Sequence, residues 1–400
     1  MFSNNIEKLK CSSCLKRLGA LKKLKIEPDC QKRLSSSSKS VNLQIHTSYS
    51  FSPYTPSMAA YMARKFSLTV AGITDDYTLD GAKEFIKACD ILGITYSVGM
   101  ELRGDFGDGY ANVALFGIAQ KYFKTLEKKT LNLRARQREN VFRTIEAVNK
   151  RTEKDGIAVS YEKDIRPLMK RANCKVFSSK YVYYAVAEKI IEKFSAGEKT
   201  VDYMLSEGFE LTQNEVGLLR DMTNPYYAYD LAQIILENYQ IFKVKKNYAS
   251  PEEIISIGHS VGAICAYEYV LRRSSAPITD DELIKMHTAL VLRLKKLGFD
   301  AISFDPTKFS KEVLDNLLKD LEQNEMLALH LSRVEFPRRR FDCNRVEGES
   351  DKKMIDSAFA IVGSEMSENS HDGYGFTNKN LKLNFAEKLK LFAKIGRKGL

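Results

Sequence analysis

Apolar and polar positions along this chain follow two rhythms, and the switch between them organises the rest. Short β-branched runs at 41–45 (V-N-L-Q-I), 68–73 (L-T-V-A-G-I), 94–98 (I-T-Y-S-V) and 112–117 (N-V-A-L-F-G) read as strands bounded by turn residues. Helical spacing between them predicts helices over 58–66, capped by Ser57 after a P-Y-T-P turn, and over 82–92, closed by Gly93. This alternation of strand and helix predicts a parallel sheet with short βα loops. From about Gln120 the period lengthens: 121–220 is helical in pattern, as in Y-A-V-A-E-K-I-I-E-K-F at 184–194, and reads as an insertion or cap. From Asn224 the first rhythm returns. It predicts a helix over 250–262 started by Ser250 and Pro251, a strand over 263–270, a helix over 279–298, a strand over 299–306, a helix over 311–323, a strand over 326–331 and a helical tail over 351–400. Ahead of all this, residues 1–34 alternate Leu or Ile with Lys as short amphipathic helices do, and 35–40 (S-S-S-S-K-S) reads as a connector. The divisions expected are therefore 1–40, 41–120, 121–220 and 221–400.

The first three strand runs end in residues able to bind a metal or move a proton: His46, then Asp75 and Asp76, then Glu101. Successive parallel strands bring their C-terminal ends to one rim, where α/β barrels place their chemistry. These four residues are the candidate site.

Composition narrows the class. Four hundred residues that are 44% hydrophobic and 28% charged can bury a sizeable core, and no run of apolar residues is long enough to span a bilayer. The N-terminus lacks the apolar core of a secretory signal. Seven cysteines, scattered apart from Cys11 and Cys14, do not form a disulfide framework, so a reducing, cytoplasmic setting is expected. The C-x-x-C at Cys11 and Cys14 has no second pair near it to complete a zinc site. The net charge of +11 is uneven: residues 121–175 hold 16 Lys or Arg against 7 Asp or Glu. Such a segment is a solvated helical face by default and a phosphate-binding surface for nucleic acid as the alternative, although Tyr122, Phe123, Phe142 and Tyr161 are not interleaved as a stacking platform.

The runs V-N-L-Q-I-H-T-S-Y-S-F-S-P-Y-T-P, A-G-I-T-D-D-Y-T-L-D-G and I-L-G-I-T-Y-S-V-G-M-E-L-R resemble, in order and spacing, the PHP family, named for polymerase and histidinol phosphatase, and within it a bacterial group of about this length. V-A-L-F-G-I-A, N-P-Y-Y-A-Y-D-L, G-A-I-C-A-Y-E-Y-V and F-A-K-I-G-R follow in the expected order. The resemblance implies a distorted TIM-like (β/α)7 barrel with a helical insertion. It also implies divalent metals (Mn, Mg, Fe or Zn) at the C-terminal rim and a metal-dependent phosphoesterase activity on a phosphorylated small molecule. It places His46, Asp75 and Glu101 in catalysis and His46, Asp75, Asp76 and Glu101 on metal.

The departures from the family pattern bear on that activity. The first motif, His-x-His in the family, is Gln44-Ile45-His46 here; Asp76 replaces a histidine of the second; Phe116 and Ser364 stand where histidines are expected. The strand A-Y-E-Y-V runs into Leu271-Arg272-Arg273 rather than Gly-Asp, and the last strand into S-R-V-E-F-P-R-R-R at 332–340. A multi-metal site needs many imidazoles and carboxylates, yet the chain has five histidines, of which only His46 holds a recognised ligand position. His287 reads as structural and His259 as a capping or surface residue, His330 is the best substitute rim ligand, and His371 lies in a loop beside Asp372. Arg272, Arg273, Arg338, Arg339 and Arg340 would stand near the rim, where guanidinium groups compete with metal for carboxylates or grip a phosphate by paired hydrogen bonds. Two readings follow: a phosphoesterase with a reduced metal site, or a pseudoenzyme barrel that binds an anion through arginine. G-H-S-V-G (258–262) is not a nucleophile elbow, because a helical pattern precedes its serine and a strand follows.

Overall fold

A computed structural model describes residues 2–25, 40–271, 278–370 and 373–399. Seven strands form one sheet in chain order: β1 (Val41–Ile45), β2 (Val70–Asp76), β3 (Thr95–Asp105), β4 (Tyr110–Phe116), β5 (Ile264–Glu268), β6 (Ala301–Phe304) and β7 (Leu327–His330). The sheet curls until its edges approach. Residue 334, beyond β7, pairs with the end of β1: Val334 N donates to Gln44 O (2.9 Å) and His46 N to Val334 O (3.0 Å).

The sheet is not wholly parallel, which corrects the expectation. β1–β2–β3 and β5–β6–β7 are parallel, but β4 runs antiparallel to both of its neighbours. The reason is the connection. Only F-G-D-G (106–109) separates β3 from β4, with Gly107 at φ +83°. Four residues can close a hairpin, whereas a parallel return needs a crossover of a dozen or more.

Local chemistry sets the helix boundaries. Helices Ala82–Leu92 and Lys311–Gln323 fall where the periodicity places them, with Gly93 left-handed (φ 66°) at the end of the first. Thr279 and Glu282 form a capping box on Asp280–Leu297, and Ser250 caps Pro251–His259. The helix Pro56–Lys65 is capped by Thr55 rather than Ser57, because Pro56 occupies its first turn; Ser57 instead donates to Glu84. Helices also continue past Asn224, through Tyr227–Glu237, so strands resume only at β5.

Strand alternation sends every second residue to the inner face of the curled sheet. Toward one end that face is apolar: Val70, Phe116, Ile264, Ala301 and Leu327 pack with Ile355, Phe359 and Val362 of the helix Glu349–Asn369. Further along the same alternating positions come Asp76, Glu101, Asn112 and Glu268. One end of the barrel is thus plugged by a helix, and the other is lined with polar groups. A second core joins the outer sheet face to the N-terminal segment (Leu9, Leu21, Leu24) and to the insertion (Leu126, Val141, Tyr183, Leu219). Among the described residues, no helix is long and apolar enough to cross a membrane. The connector at 35–40, apart from Ser40, lies outside the described residues, as do Cys30, Arg272, Arg273, His371 and Asp372.

Candidate active site

Three strand ends meet at one rim. Asp76 and Glu101 are register partners on β2 and β3, and His46 follows β1. His46 Nδ1 lies 3.5 Å from Asp76 Oδ1, and Nε2 lies 3.4 Å from Glu101 Oε2. One ligand atom from each of the three residues falls within 4.8 Å of the others. His46 Nε2, Asp76 Oδ1 and Glu101 Oε2 are all buried without a hydrogen-bond partner among the described residues. Buried polar atoms are rarely left so.

The tautomer of His46 can be read from its neighbours. Ser50 Oγ donates its proton to Asp75 Oδ1 (2.7 Å), so toward His46 Nδ1 (3.2 Å) it offers a lone pair. Nδ1 therefore carries the hydrogen, and Nε2 presents its lone pair to the carboxylates when the ring is neutral. Burial opposes protonation of His46, but Glu101 and then Asp76 outweigh it and raise its pKa.

Asp75, expected among the metal ligands, stands apart from this cluster. Its oxygens accept from Thr47 N (2.6 Å), Thr47 Oγ1 (2.7 Å) and Ser50 Oγ. It holds the loop after β1 and, through Ser50, orients His46. Phe116 and Ser364 are not at the rim either. β4 is antiparallel, so Phe116 lies at the plugged end, and Ser364 Oγ accepts from Phe376 N (2.9 Å) in the helical tail. Gln44, in place of the first histidine, donates to Glu268 Oε1 (2.6 Å) while its carbonyl accepts from Ser332 N (3.2 Å). His330 is taken by Asp351 (3.2 Å), His259 by Asp300 (2.8 Å) and His287 by Tyr269 (3.1 Å). His259, Cys265 and Asp300 are near enough to be grouped as ligands, but burial keeps the Cys265 thiol protonated and Asp300 Oδ2 already accepts from Cys265 N.

Two cations sit among the carboxylates, and the strand pattern did not single out either. Lys180 Nζ lies 3.0 Å from Asp76 Oδ2 and 2.5 Å from Glu335 Oε2. Arg333 lies 2.8 Å from Glu101 Oε1, 3.3 Å from Glu335 Oε2 and 3.8 Å from Glu268 Oε2. Lys180 arrives from the insertion, at the start of the helix Ser179–Phe194, whereas Arg333 and Glu335 flank the residue pinned to β1. No local signal in the sequence joins a helix start to a post-strand loop 153 positions away. Burial would raise Glu101, yet Arg333, then His46 and Lys180, hold it at about 2. Glu268 goes the other way: burial and the nearby Glu101 lift it to about 8, against Arg333 and the Asn112 amide.

Above the cluster opens a pocket of about 620 Å³, with Tyr77, Tyr239, Tyr248, Tyr269 and Phe309 on its walls and Arg338, Arg339 and Arg340 in its lining. Arg338 binds Asp230 (2.8 Å) and Asn224 (2.7 Å), and Arg340 binds Asp342 (2.8 Å). Arg339 is exposed and meets no carboxylate among the described residues.

No protein-family model matches the chain, and no curated protein matches it. Solved structures do. An amidohydrolase from Chromobacterium violaceum, with bound sulfate and no metal, superposes with TM-score 0.50 at 16% identity, over 77% of this chain and 91% of its own. A provisionally named metal-dependent phosphoesterase from Bifidobacterium adolescentis gives TM-score 0.50 at 14% identity, over 80% and 96%. The fold is a PHP-like distorted barrel. At these identities the likeness concerns the fold; the site stands on its own geometry.

The donor set also fits a metal. One imidazole nitrogen and two carboxylate oxygens, buried without hydrogen-bond partners among the described residues, suit a borderline or hard divalent ion. In the basic segment many charges are already engaged: Arg136 with Glu253, Arg143 with Glu139, Arg151 and Lys154 with Glu207, and Arg166 with Glu162.

Proposed function

We propose that this chain holds a single divalent ion on His46, Asp76 and Glu101 and binds a phosphorylated small molecule in the pocket above it. The observation that carries the reading is that His46, Asp76 and Glu101 each bring a ligand atom within 4.8 Å of the others, while His46 Nε2, Asp76 Oδ1 and Glu101 Oε2 are buried without a hydrogen-bond partner among the described residues. Burying such groups unsatisfied costs about 1–3 kcal/mol each, more when they are charged, and one ion would relieve all three. A bound divalent ion polarises a phosphoryl oxygen and lowers the pKa of a coordinated water. The chain's own residues do the rest. Asp75 and Ser50 fix the imidazole so that its lone pair faces inward. Lys180 and Arg333 orient the two carboxylates, each gripping one oxygen and leaving the other free. Arg339, at the pocket, offers a guanidinium to the phosphate.

A second reading, a non-catalytic anion-binding barrel, is favoured by the same Lys180 and Arg333, because side-chain cations already compensate much of the carboxylate charge. Metal analysis of the purified chain separates the two. One equivalent of Mn, Fe or Zn, lost in both His46→Ala and Glu101→Gln, supports the first and calls for a phosphomonoester hydrolysis assay. No metal after loading leaves the second, with Arg339→Ala then expected to abolish phosphate-ester binding.

A further inference from the structure

The carboxylates of this rim are more numerous than one ion requires, and side chains from elsewhere in the fold meet the surplus. Asp76 Oδ2 and Glu335 Oε2 converge on Lys180 Nζ, and Glu101 Oε1 and Glu335 Oε2 on Arg333. A cation bridging two carboxylates is the arrangement a second metal ion would adopt. We infer that Lys180 and Arg333 are built-in substitutes for further metal ions, so that the site is closed to all but one divalent cation. The inference rests on the one-ion reading above.

Charge supports it. Asp76, Glu101, Glu268 and Glu335 carry four negative charges when ionised, and Lys180 and Arg333 return two. Asp75 and Arg103, next to them, add one of each sign. The remainder is at most two negative charges, which one divalent ion cancels; a second would leave at least two uncompensated positive charges in a buried setting, where charge is costly.

Placement supports it independently. Lys180 is the second residue of the helix Ser179–Phe194, with Ser178 as its cap. A cation in the first turn of a helix faces the positive end of the macrodipole and is disfavoured there. Its ammonium is nevertheless buried, side chain 11% exposed, against two carboxylates. The rim chemistry explains a lysine that helix chemistry would reject.

The test is a Mn²⁺ titration followed by electron paramagnetic resonance and calorimetry on the native chain, Lys180→Met, Lys180→Arg and Arg333→Met, with circular dichroism to confirm folding. The expected stoichiometry is one ion for the native chain and Lys180→Arg, and two for Lys180→Met, where Asp76 and Glu335 lose their bridging cation. Arg333→Met, which frees Glu101 and Glu335, supplies the same gain should Lys180→Met not fold. One ion in both methionine variants, or two in the native chain, overturns the inference. No ion in the native chain defeats the one-ion reading instead; a site gained in Lys180→Met would then still uphold the substitution, and none gained would defeat that as well.

Discussion

Ser50 illustrates how much of this site depends on a residue that touches no ligand. Its hydroxyl gives its proton to Asp75 and its lone pair to His46 Nδ1, so it decides which imidazole nitrogen is free. Ser50→Ala should weaken Mn²⁺ binding roughly 10- to 100-fold without changing the stoichiometry, the usual scale for groups that orient a metal-binding histidine. Asp75→Asn should likewise keep the number of bound ions, which calorimetry reads directly; loss of the ion in that variant would return Asp75 to the ligand set. At the plugged end, Glu365 carries a different kind of charge. One oxygen accepts from Ser97 Oγ (2.8 Å) and Val98 N (2.9 Å), and the other has no partner among the described residues. Burial lifts its pKa to about 8, against those two hydrogen bonds. Its folded pKa exceeds its unfolded one, so the folded state binds the extra proton and loses stability as pH rises toward 8. The unfolding free energy of the native chain from urea titrations should therefore fall between about pH 5 and pH 8 relative to Glu365→Gln, by at most a few kcal/mol, and the gap should close below about pH 4.5.

Among the elements, the helix that plugs the barrel is held by contacts too close for any side chain. Where Glu349–Asn369 crosses Phe385–Lys398, a Cβ added at Gly363 would overlap Phe392 O, and one at Gly396 would overlap Phe359 O. Backbone lies against backbone, so no rotamer change can relieve a methyl group there. Gly363→Ala should cost at least about 1–3 kcal/mol as an overpacking substitution, read from the urea midpoint at unchanged m-value. An unchanged midpoint would mean that the two helices do not cross at these glycines. The loop after β7 works by the opposite device. Val334 is pinned to β1 by two backbone hydrogen bonds, and the flanking Arg333 and Glu335 are thereby aimed at the rim.

Across the whole molecule, one apolar core runs from the N-terminal helices through the outer sheet face into the insertion, and Lys180 carries the insertion's contribution into the rim. Ion binding should accordingly stabilise the chain as a unit. At roughly one hundred times the dissociation constant, mass action adds about 2.7 kcal/mol. With an unfolding entropy near 2.1 cal/mol/K per residue over the full chain, that is a rise of about 3 °C in Tm. Scanning calorimetry with and without Mn²⁺ should show a single transition shifted by that order, and no shift in His46→Ala. A split transition would instead mean that the insertion melts separately and that Lys180 leaves the rim with it.

The periodicity of the chain by itself determined the number and order of the strands, the helices at 82–92 and 311–323, and that the strand ends bearing His46, Asp75, Asp76 and Glu101 share one rim, because alternation, capping and parallel strand ends are local or follow from local geometry. The family resemblance counted Phe116 among the substituted ligand positions, whereas the short F-G-D-G turn reverses β4 and carries that residue to the plugged end. Asp75 and Asp76 are adjacent, and only the fold showed that one anchors a loop while the other faces the site. The arginine run at 338–340 drew the eye as charge, yet Arg338 and Arg340 are paired with Asp230 and Asp342, and the guanidinium that matters most to the rim is Arg333. Tertiary structure decided that Lys180, Arg333, Glu268 and Glu335 belong to one site. Their proximity comes from curling a sheet until β1 meets residue 334 and from docking an insertion over the rim, and neither event leaves a short-range trace in the order of the residues.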